Sequence, residues 1–137
     1  MGRPGAAQVG GVIRHLFVYG TLRPGDVRWH ILEQFVVDDG WRDSVTGRLY
    51  DTGLDYPAAV FDHEATIHGH TFALLDASMS RALEVLDEVE GTVDGEYARV
   101  VVRTARGVDA WAYASGDGLE LTPIPSGDWF QHRPPNG

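Results

Sequence analysis

Cysteine does not occur among the 137 residues. Its absence excludes disulfide bridges, thiolate nucleophiles and any Cys-ligated metal centre. Lysine is missing as well, so all side-chain positive charge other than histidine's rests on arginine. Eleven basic side chains stand against twenty acidic ones, for a formal net charge of −9. Phosphate backbones are gripped by clustered Lys and Arg, and a chain this acidic is not built for nucleic acid. Long apolar runs are lacking too. No stretch reaches the length of a membrane span, and the N-terminal "MGRPGAAQVGGVIR" has no apolar segment of the kind a secretion signal carries. Met1-Gly2 opens like a myristoylation signal, but Ala6 stands where that signal needs Ser or Thr. The expectation is a cytoplasmic protein with no membrane or nucleic-acid partner, present as a monomer or a homodimer. Two catalytic signatures are also absent. There is no Gly-x-Ser-x-Gly, and the loop from Gly20 to Gly25 lacks the Gly-Lys-Ser/Thr ending of a phosphate loop.

What is present suffices for one domain. Apolar residues make up 43% and charged residues 23%, enough to bury one core and too little chain for two. Residues 1–13 are expected to form a flexible N-terminal tail, 14–130 a single domain and 131–137 a C-terminal tail. Leu16-Phe17-Val18-Tyr19 reads as a short buried strand, and it stops at Gly20 in a turn carrying Thr21, Leu22 and Arg23 before Pro24-Gly25. "DVRWHILEQF" has helical spacing, with Asp26 placed to cap it. "VTGRLYDTG" reads as a strand broken by Gly53, followed by strand-like "YPAAVFD" and "ATIHGHTFALL". "DASMSRALEVLDEVEG" is the clearest amphipathic helix, and "EYARVVVRT" and "VDAWAYAS" flank "ARG" as an antiparallel hairpin. The end, "PIPSGDWFQHRPPNG", is punctuated by Pro and Gly and is expected to wrap the surface or fray. Many short strands with two inserted helices give an α+β class. The sheet is expected to be a small, mixed, mostly antiparallel β-barrel with flanking helices.

The long helix carries one acid on an unexpected face. At roughly 100° per residue, Met79, Ala82, Leu86 and Val89 share an apolar side near Leu83, with Val85 at its margin. Arg81, Glu84 and Glu88 fall opposite, and Asp87 lies on the flank. Glu90 falls inside the apolar arc, two turns beyond Leu83, and Gly91 then stops the helix. Burial and the negative end of the helix dipole both disfavour an ionised carboxylate there, and both push toward a group that exchanges a proton near neutral pH. Two readings stay open: Glu90 turned inward as a functional acid, or a helix ending one residue sooner with Glu90 in water or paired with Arg99.

Taken together, these segments resemble the γ-glutamylcyclotransferase-like superfamily, in its γ-glutamylamine cyclotransferase and AIG2-like branch. Tyr19-Gly20-Thr21-Leu22-Arg23-Pro24-Gly25 is similar to its signature turn. Leu86-Asp87, Glu90-Gly91 and Tyr97-Ala98-Arg99 match its second signature, and "VTGRLYDTGLDYPAAVF" and "HGHTFALLD" match further strands. The one departure is the acidic spacer "TVDGE" before Tyr97. The resemblance spans about residues 15–115 and implies a β-barrel with flanking helices. It also implies release of 5-oxoproline from a small-molecule γ-glutamyl substrate, with no metal and no cofactor. The substrate's own α-amine attacks its γ-carbonyl, so the enzyme need only fold the chain back and move protons. On the resemblance, Glu90 is the general acid/base. Backbone N–H groups of Gly20, Thr21 and Leu22 cradle an anion, Tyr19 lines the pocket, and Tyr97 donates a hydrogen bond to the substrate.

Other readings carry less. His68 and His70 share a strand face near His63, but a His-x-His metal site of the cupin kind needs a glutamate four residues on, where Leu74 stands. Trp111 and Tyr113 read as packing residues. A non-catalytic binding module for an amine or amino acid, on the same barrel, is the alternative from another class, and an interaction role with Glu90 in a buried network is a third. The chain keeps the carboxylate at 90, the glycine at 20 and a pocket tyrosine, which favours the enzyme.

Overall fold

The structure, a computed structural model, describes residues 13–20, 29–52, 57–62, 65–89, 97–115 and 122–132. Among these the order is β1 (His15–Val18), α1 (Trp29–Glu33), β2 (Trp41–Thr46), β3 (Arg48–Asp51), β4 (Pro57–Val60) and β5 (Thr66–Ala73). A 3-10 turn (Asp76–Ser78) then leads into α2 (Met79–Val89), β6 (Tyr97–Arg103), β7 (Asp109–Ser115), β8 (Thr122–Ile124) and α3 (Trp129–His132). None of these helices is long and apolar enough to cross a membrane.

The strands form two sheets, one ordered β2-β5-β1-β7-β6 and one ordered β4-β3-β8. Only the β1–β7 pair is parallel; the other described pairs are antiparallel. Alternation along β1 decides the layering. Leu16 and Val18 face one core, where Leu32 of α1 and Ala82 and Leu86 of α2 pack with Phe72, Tyr97 and Tyr113. Phe17 and Tyr19 face the other core, against Leu49, Ala59, Ile124 and Trp129. Helices α1 and α2 thus cover one side of the large sheet, and the small sheet and α3 cover the other.

The α+β class and the mostly antiparallel sheet stand as expected from sequence, but the barrel takes a different form. Among the described residues no ladder closes the large sheet. Its two sides are tied at one end instead, where Asp43 on β2 meets the turn between β6 and β7. Ala105 N donates to Ser44 O at 2.8 Å, and Arg106 N donates to the Asp43 carboxylate at 3.3 Å. That carboxylate, 8% exposed, also accepts from Trp41 Nε1, Ser44 N and Thr71 Oγ1. Burial pushes its pKa up, but the hydrogen bonds from Thr104, Ser44, Thr71 and Trp41 outweigh this and hold it below the usual carboxylate range.

Two local expectations need correction. The strand read from "VTGRLYDTG" breaks at Gly47, between β2 and β3, where the chain passes from one sheet to the other. A Cβ at Gly47 would lie 2.7 Å from the Val60 carbonyl oxygen, so only glycine fits the crossing without displacement. Gly53, where the break was expected, lies outside the described residues, as do the Asp26 cap and His63. The C-terminal "PIPSGDWFQH" does not simply wrap the surface. It supplies β8 and α3, and Ile124 and Trp129 are buried. Its prolines are compatible with a strand because β8 is an edge, where a missing N–H costs little.

Candidate functional site

The end of β1 is fixed from three sides. Val18 and Tyr19 are buried, and the Tyr19 hydroxyl donates to the Tyr113 carbonyl at 2.6 Å. Gly20 follows and lies against the ring of Pro57, the first residue of β4. A Cβ at Gly20 would stand 2.8 Å from both Cδ and Cγ of that ring. Pro57 is also held from the opposite direction, because the buried Tyr97 hydroxyl donates to its carbonyl at 2.6 Å. Gly20, Pro57 and Tyr97 therefore form one chain of contacts joining the ends of β1, β4 and β6. The single hydroxyl proton of Tyr97 is engaged in that bond, so in any further hydrogen bond its oxygen acts as an acceptor.

The last turn of α2 reaches the same strands. Ala82 and Leu86 bury the inner face, and Met79, Leu83 and Val85 pack beside them, as the periodicity predicts. Asp87 sits on the flank of that face, at the negative end of the helix dipole, where a carboxylate is unfavourable without a cation. Arg99 supplies one. Its Nε and Nη2 reach the two Asp87 oxygens at 2.8 and 3.3 Å, while its guanidinium carbon lies 4.3 Å from the centroid of Trp111. The Tyr113 hydroxyl adds a third bond, to Asp87 Oδ1 at 2.8 Å.

Of the residues singled out from sequence, the structure brings Tyr19, Gly20 and Tyr97 into this region. Thr21, Leu22 and Glu90 lie outside the described residues; Thr21 follows Gly20 in the chain, and Glu90 follows Val89, the last residue of α2. Arg99 pairs with Asp87. Sequence reasoning missed Pro57 as the partner of Gly20 and took Tyr113 for packing alone. The flank position of Asp87 was the available signal for the Arg99 pair, but nothing local in the sequence pointed to Tyr113. His68 is exposed, and His70 stacks on Phe72 with ring centroids 5.3 Å apart. Among the described residues no group of three His, Cys, Asp or Glu is arranged to hold a metal ion.

Comparison with known proteins extends the picture. The family model described as "Gamma-glutamyl cyclotransferase, AIG2-like" matches residues 16–131. Among solved structures, an uncharacterised protein from Pyrococcus horikoshii is 24% identical with a TM-score of 0.67, over 88% of this chain and 92% of that one. YkqA from Bacillus subtilis is 26% identical with a TM-score of 0.67, over 89% of this chain but 41% of its own. An AIG2-like protein from Mus musculus shares the fold at 17% identity and a TM-score of 0.63, over 82% of this chain and 87% of that one. No curated protein sequence matches.

Proposed function

The chain belongs to the gamma-glutamyl cyclotransferase, AIG2-like family, and from that premise we propose that it releases 5-oxoproline from a γ-glutamyl amine or γ-glutamyl amino compound. Family membership supports a cyclotransferase-type function; the substrate class and the residue roles are the proposal. The substrate's α-ammonium gives a proton to Glu90, and the freed amine attacks the γ-carbonyl carbon. A C–N bond forms to close the five-membered ring, and Glu90 returns its proton to the departing amine as the bond to that amine breaks. The ring nitrogen sheds its second proton through the same carboxylate, so that the amine leaves as an ammonium ion. The protons balance and no oxidant, reductant or external nucleophile is required.

Proximity does most of the work. Holding the glutamyl chain folded replaces a flexible approach by a short, oriented one, a change that is worth several kcal/mol, of the order of 7 or more in well-oriented systems. Backbone N–H groups of Gly20, Thr21 and Leu22 hold the substrate carboxylate or the developing oxyanion in this scheme. Tyr19 lines the pocket, and Tyr97 meets the substrate as a hydrogen-bond acceptor while its own proton stays in the hydrogen bond to the Pro57 carbonyl.

The observation that carries the reading is the Gly20–Pro57–Tyr97 chain of contacts. It joins Gly20 to Tyr97 at the start of β6, two motif residues far apart in sequence that the proposed chemistry uses together. The test is incubation of the purified protein with γ-glutamyl amines and γ-glutamyl amino acids, scoring 5-oxoproline and released amine. Equal amounts of the two products are expected from at least one substrate. Tight binding without product would favour the non-catalytic binding module instead.

A further inference from the structure

We infer that Tyr113 is a positioning residue that locks the last turn of α2 to the end of β1, the two elements that Glu90 and Gly20 follow in the sequence. Its catalytic consequence rests on the cyclotransferase reading; the mechanical link does not.

Tyr113 is 3% exposed and is used twice. Its backbone carbonyl accepts the Tyr19 hydroxyl, one residue before Gly20, and its side-chain hydroxyl donates to Asp87, three residues before Glu90. The two bonds run to opposite sides of the large sheet, because Tyr19 belongs to the core under the small sheet and Tyr113 to the core under the helices. One residue therefore transmits position across the sheet. Arg99 lies directly opposite Tyr113 in the β6–β7 register and grips the same carboxylate with two nitrogens. Trp111 supports the guanidinium and is itself in register with Leu16 of β1. A helix end left to itself frays within its last turn. Here the carboxylate in that turn is held by a planar fork and a buried hydroxyl, a combination that fixes direction as well as distance. For packing alone, phenylalanine would fill the same volume at position 113. The hydroxyl is explained by its bond to Asp87.

The test compares Tyr113→Phe and Arg99→Lys with wild type, using Arg103→Gln, on the same strand as Arg99, as a control that removes an exposed ion pair to Asp109 of β7. Arg99→Lys keeps the charge and loses the two-point grip. Three quantities are read: kcat and KM for 5-oxoproline release, hydrogen exchange of the amides from Val85 to Val89, and melting temperature. The expected result is folded variants whose kcat falls about tenfold or more while KM stays within about twofold, because misplacement by a fraction of an ångström lowers turnover rather than binding. Exchange in the last turn of α2 should accelerate in both variants and not in the control. Unchanged exchange overturns the inference. Faster exchange with unaltered kcat makes the network a stability element and overturns it as well, as does a rise in KM alone, which would mark direct substrate contact. A wild type inert toward every γ-glutamyl compound sinks the functional reading instead, and exchange in the two variants still decides whether the link exists.

Discussion

Gly20 and Pro57 are packed so closely that a Cβ on residue 20 would lie 2.8 Å from two ring carbons of the proline. Gly20→Ala is expected to cost about 1–3 kcal/mol, the usual penalty for forcing a methyl group into filled space. Pro57→Ala removes the two carbons that would clash, so the double variant should recover part of the loss. Urea denaturation of the four proteins gives the coupling energy directly. Costs that simply add would show that the two residues do not touch in solution.

Tyr97→Phe removes the donor to the Pro57 carbonyl and leaves a buried acceptor without it. The expected loss is about 1–3 kcal/mol, the cost of an unsatisfied buried polar group, with only a small change in packed volume. Thermal and chemical denaturation measure it. A variant as stable as wild type would mean that this bond is not held in solution.

Two groups set separate pH windows for stability. Asp43 has a folded pKa below the ordinary aspartate value of 3.8, because its hydrogen bonds outweigh the burial that opposes them. Its contribution is therefore present above the unfolded value and is lost as pH falls through the folded one. His15 has a folded pKa below 6.5 through burial. Above 6.5 it is neutral in both states and has no effect. As pH falls below 6.5 the unfolded chain takes up the proton first, so stability declines until the folded pKa is passed. Asp43→Asn should flatten the acid limb of a stability–pH curve, and His15→Phe the limb just below 6.5. If each variant's curve runs parallel to wild type, these assignments fail.

Trp129 is 2% exposed and anchors α3 in the core beneath the small sheet. Trp129→Ala is expected to destabilise by about 3–5 kcal/mol, the range for emptying a buried aromatic site. A denaturation midpoint close to wild type would place the C-terminal helix outside the folded unit.

Strands β1, β4 and β5, the long helix and the β6–β7 hairpin were legible because each follows a local rule of period or turn chemistry. Leu16 to Tyr19 is a run of large apolar and aromatic side chains, and Ala82 and Leu86 fall on the predicted face. What stayed hidden depends on tertiary context. Ile124 and Trp129 sit among prolines and glycines that locally signal a loop, and only an edge position beside β3 makes the strand possible. The barrel expectation rested on six strand segments where the described residues form eight strands, and the tie at one end comes from a side chain, Asp43, bound to a turn far along the chain. Within the site, Gly20 and Tyr97 were legible as motif residues. Pro57 and Tyr113, which connect them to their surroundings, carry no pattern of their own.

The central claim is that one carboxylate following α2 both takes the proton from the substrate's amine and returns one to the leaving group. Glu90→Gln keeps the shape and removes the titratable group, so the decisive measurement is kcat for 5-oxoproline release by this variant beside wild type on the best γ-glutamyl substrate. The account predicts a fall of about a hundredfold or more, the usual scale for losing a general acid/base. A folded variant that turns over at the wild-type rate would contradict it.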